Sequence, residues 1–360
     1  MLTFNVGPSK LSQKTKSQIK KAIDLGIYEI SHRSEEFSKI SKQAITGLRK
    51  FFKIPKDYRV FYTGSATDAM EIAVGNCCEQ RAYHFTCGVF SEVFAEISQR
   101  YNKKVFRDQV DFGQLNDYKQ AKIDNKHDFV AITQNETSTG VMCEIEDIEK
   151  ARNKNREAIL TIDITSSGGT APAPIELADI WLFSVQKCFG LPAGLGIMIV
   201  SPKALAKANQ LSKQKKNLAG YFTFENMLEK MTGKYQTVNT PNVINIYLLA
   251  ERMKVFNQNQ GLIGNIKQAQ EKYQLLKDFI DQNQAIDYFV QKPRARSYIT
   301  ICLQAAREKI KAFHLACKKN NMILGQGYGE LKDKTFRIAN FPNISKTEMQ
   351  NLIEVLKQAS

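Results

Sequence analysis

The chain has 360 residues, 43% of them hydrophobic and 24% charged, with 20 glycines and 9 prolines. This is the composition of a globular protein long enough for about two domains, and it excludes a collagen, a disordered tail and a small disulfide scaffold. The net charge of +15 comes from lysines spread along the chain, with only Lys213-Gln214-Lys215-Lys216 dense and no nucleic-acid motif, so a solvated basic surface that attracts small anions is expected and a nucleic-acid partner is not.

Strand-like and helix-like stretches alternate from residue 59 to residue 200. Arg59-Val60-Phe61-Tyr62 is a short apolar run that stops at Thr63-Gly64-Ser65, after which Ala69, Met70, Ile72 and Ala73 recur at helical spacing. Ala82 to Phe85 reads as a strand, Ser91 to Tyr101 as a helix and Val105-Phe106 as a short strand. Asp128 to Thr133, Ala158 to Asp163, Ile180 to Ser184 and Gly196 to Val200 are buried strands. This rhythm predicts an α/β fold with a mostly parallel central sheet and helices on both faces.

The texture changes near Asn242. Two long helical patterns, about Asn242 to Asn257 and Leu262 to Asp281, precede a strand at Tyr298 to Cys302 and a helix at Ala306 to Asn320. A glycine-rich loop, Gly325-Gln326-Gly327-Tyr328-Gly329, leads to a strand near Thr335 to Ile338 and a last helix over Lys346 to Gln358. A boundary near Met253 is expected, with a large domain over 1–253 and a smaller α+β domain over 254–360.

No apolar run reaches the ~18 residues of a membrane span. The opening Met1-Leu2-Thr3-Phe4-Asn5-Val6-Gly7-Pro8 lacks the basic-then-apolar layout of a signal peptide. The seven cysteines are scattered without a C-x-x-C pair, and the four histidines form no ligand pair. A cytoplasmic protein with reduced thiols, no metal and no membrane partner is therefore expected.

In open parallel sheets ligands bind beyond the carboxyl ends of the strands, so the polar residues just past each strand are the candidates. Gly64-Ser65-Ala66-Thr67 opens a helix with small side chains, as a phosphate cup or a simple N-cap would. Asp163 ends an apolar strand, where it either caps the turn or holds a charged ring nitrogen. Lys187 follows the next strand in a loop of small and apolar residues. Desolvation there lowers an amine's pKa and suits it to Schiff-base chemistry.

A strand-end aspartate, a lysine after the next strand and a phosphate cup together describe a pyridoxal phosphate site. Phe90 either stacks on the pyridine ring or packs in the core. Thr137, in Gln134-Asn135-Glu136-Thr137, is placed to bond the ring hydroxyl. Arg337, amid apolar residues, either clamps an α-carboxylate or forms a structural salt bridge.

With Phe4-Asn5-Val6-Gly7-Pro8-Ser9, Glu29-Ile30-Ser31-His32-Arg33, Gln134-Asn135-Glu136-Thr137, Val185-Gln186-Lys187 and Val238-Asn239-Thr240-Pro241, the chain resembles the fold-type I, class V aminotransferases nearly end to end. The phosphoserine branch of that family is the most similar. The resemblance implies Lys187 as the Schiff-base and proton-carrying lysine, Asp163 on the pyridinium, Phe90 on the ring and Thr137 on its hydroxyl. It implies Gly64, Ser65, Ala66, Thr67 and Gln186 around the cofactor phosphate, with Asn239 and Thr240 reaching it from the neighbouring subunit of a homodimer with shared sites. His32 and Arg33 would bind a substrate phosphate and Arg337 the substrate carboxylate.

The implied reaction moves an amino group between glutamate and 3-phosphohydroxypyruvate, giving 2-oxoglutarate and phosphoserine in serine biosynthesis, ping-pong through pyridoxamine phosphate. The common bacterial pattern has an arginine in the Gly64–Thr67 turn and a His-Arg pair before the carboxylate arginine; this chain has neither. Lys332, Lys334, Arg294 and Arg296 are the candidate replacements. The stretch from Gly325 to Lys332 is closer to serine–pyruvate and alanine–glyoxylate aminotransferases, which act on unphosphorylated amino acids, and this is the alternative reading. An inactive basic binding protein on the same fold is the remote one.

Overall fold

The computed structural model describes residues 1–359. A seven-stranded sheet runs in the order Arg59–Thr63, Gly196–Val200, Ile180–Ser184, Ile159–Asp163, Phe129–Thr133, Arg81–Thr86 and Lys104–Gln109. Every neighbouring pair is parallel except those of Gly196–Val200, which runs antiparallel to both its neighbours. The register sets Asp163 beside Thr133 on one side and Leu182 on the other. One edge of the sheet therefore gathers Thr63, Ser184, Asp163 and Thr133.

The central strands are continuous apolar runs because both faces are covered. All five residues of Ile159–Asp163, Ile180–Ser184 and Gly196–Val200 are buried. The helix Ala66–Cys77 lies against them through Ala69, Met70 and Ala73, and it starts where the Ser65 hydroxyl accepts the Asp68 N–H. Asp128, read in sequence as strand, instead precedes it. Its carboxylate accepts the N–H groups of Glu79 (2.6 Å), Gln80 (2.9 Å) and Arg81 (2.8 Å), which pins the start of the neighbouring strand.

A second, five-stranded sheet has the order Leu2–Phe4, Met322–Gln326, Thr335–Ala339, Thr300–Gln304 and Asp287–Tyr288. The N-terminal strand joins it parallel to Met322–Gln326. Residues Gly325 and Gln326, read as loop, are the end of that strand. Gly325 faces Arg337 across the pair, and a β-carbon there would meet the Arg337 carbonyl at 2.8 Å, so a glycine is what the close approach requires.

Two apolar cores follow from these layers. One surrounds Trp181, Phe183 and Phe189; the other surrounds Phe313, Phe336 and Leu352 and includes Phe4 and Val6. The helix Val243–Gln258, which contains Met253, packs along Glu35–Phe52, and Gly261–Asp281 continues toward the second core. All seven cysteines are buried free thiols.

Candidate active site

Asp163 and Lys187 both lie at the carboxyl edge of the large sheet. Asp163 is buried, and its Oδ1 accepts the Thr165 N–H (2.8 Å) and the Thr165 hydroxyl (2.5 Å). Burial pushes its carboxyl up to about 6, against the pull of the Thr165 hydrogen bonds and of Lys187. Lys187 leaves the strand Ile180–Ser184 in a tight loop, where Gly190 N–H returns to the Lys187 carbonyl at 3.0 Å. Its side chain is 9% exposed, and burial, then the positive charge of Arg337, brings the amine down to about 8. Among the described residues its Nζ makes no hydrogen bond and no ion pair, and the only ring it faces is that of Phe90. A buried amine brought this close to neutrality loses its proton far more readily than a solvated lysine, which suits it to act as a nucleophile and a proton carrier.

The remaining site residues come from the turns beside it. The helix Val89–Arg100 sets Phe90 in its first turn, with the ring centroid 5.5 Å from Lys187 Nζ. Glu136, wholly buried, holds that turn: its carboxylate accepts Ser91 N–H (2.9 Å), Ser138 N–H (3.0 Å) and the Ser138 hydroxyl (2.6 Å). Next to it Thr137 gives its carbonyl to Arg337 Nη1 at 2.9 Å. Arg337 Nε donates to the Gln326 carbonyl at 2.8 Å, and the guanidinium is 6% exposed. Arg337 has no carboxylate partner among the described residues, so the structural salt bridge offered by sequence is absent. A buried cation tethered only by carbonyls is an anion site.

The turn from Gly64 to Thr67 stands at the same edge. Ser184 Oγ receives the Ala66 N–H at 2.6 Å, while the Ser65 hydroxyl donates to Asp68 at 2.9 Å. Gly64 and Thr67 are exposed. The Gln186 side-chain Oε1 is buried without a partner. Asn239 and Thr240 line a cavity of about 290 Å³ together with Tyr62, Gly64 and Asp68 of the same chain.

His32 and Arg33 belong to that second group rather than to the surroundings of Lys187. His32 is exposed. Arg33 Nη1 donates to the Thr237 carbonyl at 2.7 Å and Nη2 to the Val238 carbonyl at 3.4 Å, so it is tied to the loop that carries Asn239 and Thr240. Of the replacement cations, Arg294 pairs with Asp147 at 3.1 Å. Arg296 lies 3.9 Å from the Tyr288 ring centroid and donates to the carbonyls of Val290 and Gln291. Both are thereby engaged elsewhere, a correction to their candidacy. Lys332 and Lys334 are exposed.

Three residues of the site escaped sequence reasoning. Glu136 sat inside a quoted motif without a role; its signal was a lone carboxylate in a small, polar strand-end turn. Gly7 backs Lys187, and Tyr328 faces both Phe90 and Arg337. Neither leaves a local signal.

The site fits pyridoxal phosphate. A desolvated amine, a buried carboxyl and a carboxylate-free arginine are the groups that this cofactor and an amino acid require. The family model described as aminotransferase class-V matches residues 4–329. The chain belongs to the class-V aminotransferases, and it is an enzyme dependent on pyridoxal phosphate.

Among relatives, a phosphoserine aminotransferase of Nocardioides sp. is 26% identical over 353 residues, 97% of this chain and 92% of that protein. The crystal structure of a phosphoserine aminotransferase from Cytophaga hutchinsonii superposes with a TM-score of 0.95 at 32% identity, covering 99% of this chain and 98% of that one. An aspartate aminotransferase from Thermus thermophilus shares the fold, with a TM-score of 0.86 at 21% identity over 100% of both chains. No helix among the described residues is long and apolar enough to cross a membrane.

Proposed function

We propose that this enzyme transfers an amino group reversibly between glutamate and 3-phosphohydroxypyruvate, forming 2-oxoglutarate and phosphoserine in ping-pong order, as a step of serine biosynthesis. The observation that carries the reading is the pairing of a nucleophilic buried lysine, Lys187, with a buried arginine, Arg337, that lacks an anion. The phosphoserine names of the Nocardioides and Cytophaga proteins support the choice of substrate.

Pyridoxal phosphate, when bound, supplies an aldehyde carbon for the Lys187 amine and a cationic ring that accepts electron density from the substrate's α-carbon. With the cofactor bound, Lys187 Nζ would take the substrate's α-proton and hold it for return. Asp163 keeps the ring nitrogen protonated, because its buried carboxylate gains a cationic partner in place of water. Phe90 covers the ring face, and Thr137 bonds the ring hydroxyl. Gly64, Ser65, Ala66, Thr67 and Gln186 hold the phosphate. Arg337 grips the α-carboxylate of each substrate in turn and so keeps Cα over Lys187.

The reading includes a homodimer with shared sites. The Arg33 bonds to Thr237 and Val238 tie His32 and Arg33 to the loop of Asn239 and Thr240, so that in this reading the four act as one unit on the neighbouring site. In that unit His32 and Arg33 meet the substrate phosphate. The division into a cofactor-carrying domain over 1–253 and a smaller one over 254–360 is supported by the two separate cores, with Phe4 and Val6 lodged in the second. The buried free thiols support a cytoplasmic enzyme.

The loop from Gly325 to Lys332 offers a tyrosine rather than cations beside Arg337, and this favours the second reading, an aminotransferase for unphosphorylated amino acids. Comparing kcat/KM for phosphoserine, serine and alanine with 2-oxoglutarate decides. The proposed function requires phosphoserine to lead by about 100-fold, the worth of two charge-assisted contacts. Equal or better turnover of serine or alanine overturns it.

A further inference from the structure

The helix Val89–Arg100, whose first turn carries Phe90, begins at Gly88, a residue with no side chain to close the first N–H groups. The helix Ala66–Cys77 begins from a similar extended backbone at Ser65, and there the cap residue's own hydroxyl accepts the Asp68 N–H. Val89–Arg100 takes its cap from another part of the chain. Glu136 Oε2 accepts the Ser91 N–H at 2.9 Å, and Ser138 Oγ accepts the Val89 N–H at 3.0 Å. Glu136 Oε1 accepts the Ser138 N–H at 3.0 Å and the Ser138 hydroxyl at 2.6 Å, which leaves that oxygen's lone pairs for Val89. The two N–H groups capped in this way are those on either side of Phe90.

The close approach excludes an ordinary cap. A β-carbon on Gly88 would stand 2.5 Å from Ser138 Oγ and 2.7 Å from the Glu136 carboxylate carbon. The acceptor also has to be a carboxylate. Three donors, all neutral, converge on its two oxygens, and a glutamine would turn an NH2 group toward one of them. Glu136 is wholly buried, and its negative charge sits where a helix N-terminus favours it. The main chain around it is held separately: Glu136 pairs with Val141, its carbonyl accepts the Gly140 N–H at 2.9 Å, and the Thr137 carbonyl holds Arg337. Those bonds survive a change of side chain. What the carboxylate itself fixes is the turn that presents Phe90 to the Lys187 amine.

We propose that Glu136 is a positioning residue for the cofactor: together with Ser138 it caps the helix Val89–Arg100 from outside and so holds the Phe90 ring where it covers the pyridine ring. The inference deepens the proposed function above and rests on the role given there to Phe90.

The test is a double-mutant cycle read by the affinity for pyridoxal phosphate and by the circular dichroism of the bound cofactor, which reports the surroundings of its ring. Phe90→Ala is expected to weaken the cofactor about tenfold, the worth of an aromatic stacking partner. Glu136→Gln is expected to weaken it about fivefold, the worth of a lost cap, with the dichroism diminished in both variants. Because Glu136 acts through Phe90, the double variant is expected to lie within about twofold of Phe90→Ala alone. Ser138→Ala, which removes the Val89 acceptor and keeps the carboxylate, carries the same cycle with a milder loss of about threefold, should Glu136→Gln not fold. Losses that multiply, to about fifty-fold in the double variant, overturn the inference, as does a Glu136→Gln protein with a lowered Tm but wild-type affinity and dichroism. Undiminished affinity in Phe90→Ala defeats the Phe90 role in the proposed function, and the inference with it, so the two failures are told apart.

Discussion

Gly7 forms the floor under the Lys187 amine: a β-carbon built on Gly7 would stand 2.7 Å from both Nζ and Cε of Lys187. The N-terminal segment is thus part of the site. Phe4 and Val6 anchor it in the second core, and Ser9 N–H reaches the Gln186 carbonyl at 2.8 Å.

Substitution at this contact separates lysine placement from folding. Gly7→Ala meets the lysine and also strains a backbone with φ of +152°. We expect a stability loss of about 1–3 kcal/mol from overpacking. Cofactor retention should fall more than tenfold, measured by absorbance after gel filtration. Full retention would show that the lysine reaches its working position by another path.

The ionisation of Asp163 has a definite sign. Its carboxyl is raised from 3.8 to about 6, so the stabilising protonated form is fully present below the ordinary value and is lost as pH rises through about 6. At pH 7 the cofactor-free protein bears a buried carboxylate at a cost on the order of 2–3 kcal/mol. Asp163→Asn removes that cost while keeping an acceptor for Thr165. It should raise the Tm of the cofactor-free protein at pH 7, a gain that shrinks as pH falls through about 6, and it should abolish transamination. A lower Tm at pH 7 would contradict the burial argument.

Lys187 titrates in the opposite direction. Its amine is brought from 10.5 to about 8, so it is protonated and unreactive below about pH 8 and nucleophilic above it. In cofactor-free protein, acylation of Lys187 by a small amine reagent should be half-maximal near pH 8, read by peptide mass mapping. A midpoint near 10.5 would mean a solvated amine.

Arg337 offers two parallel N–H groups that a lysine lacks. Arg337→Lys should therefore raise KM for glutamate and for 2-oxoglutarate alike, about 10- to 100-fold, with the holoenzyme spectrum intact. A loss confined to one of the two would assign the other carboxylate to a different group.

The central sheet was legible because its strands are short apolar runs bounded by small polar residues. Asp163 and Lys187 were legible because they are charges at the ends of such runs. The helix Gln13–Asp24 escaped because it buries only Thr15 and Ala22 and lysines dominate its pattern; Glu35–Phe52 escaped although Phe37, Ala44, Ile45, Leu48 and Phe52 form a clear stripe at helical spacing. The strand Leu2–Phe4 is only three residues long, and its partner lies near residue 322, so its pairing has no local signature. For the same reason Gly7 and Tyr328 could not be placed: each acts through a neighbour remote in sequence. Arg294 and Arg296 show the converse. Their charge was visible, but Asp147 and Tyr288, which engage them, were not.

The most direct measurement is to load the protein with pyridoxal phosphate, reduce it with borohydride and map the peptides by mass. Besides Lys187, two lysines are buried: Lys103, whose Nζ donates to the Glu79 carbonyl at 3.1 Å, and Lys272. Lys272 is 4% exposed and also lowered, to about 7, but its Nζ donates to the carbonyls of Phe341 (2.9 Å) and Ile344 (2.8 Å). Lys187 has no such partner. The account predicts the cofactor fixed on Lys187 alone, and none retained by Lys187→Ala. Attachment to Lys272 or to surface lysines, or retention by Lys187→Ala, would contradict it.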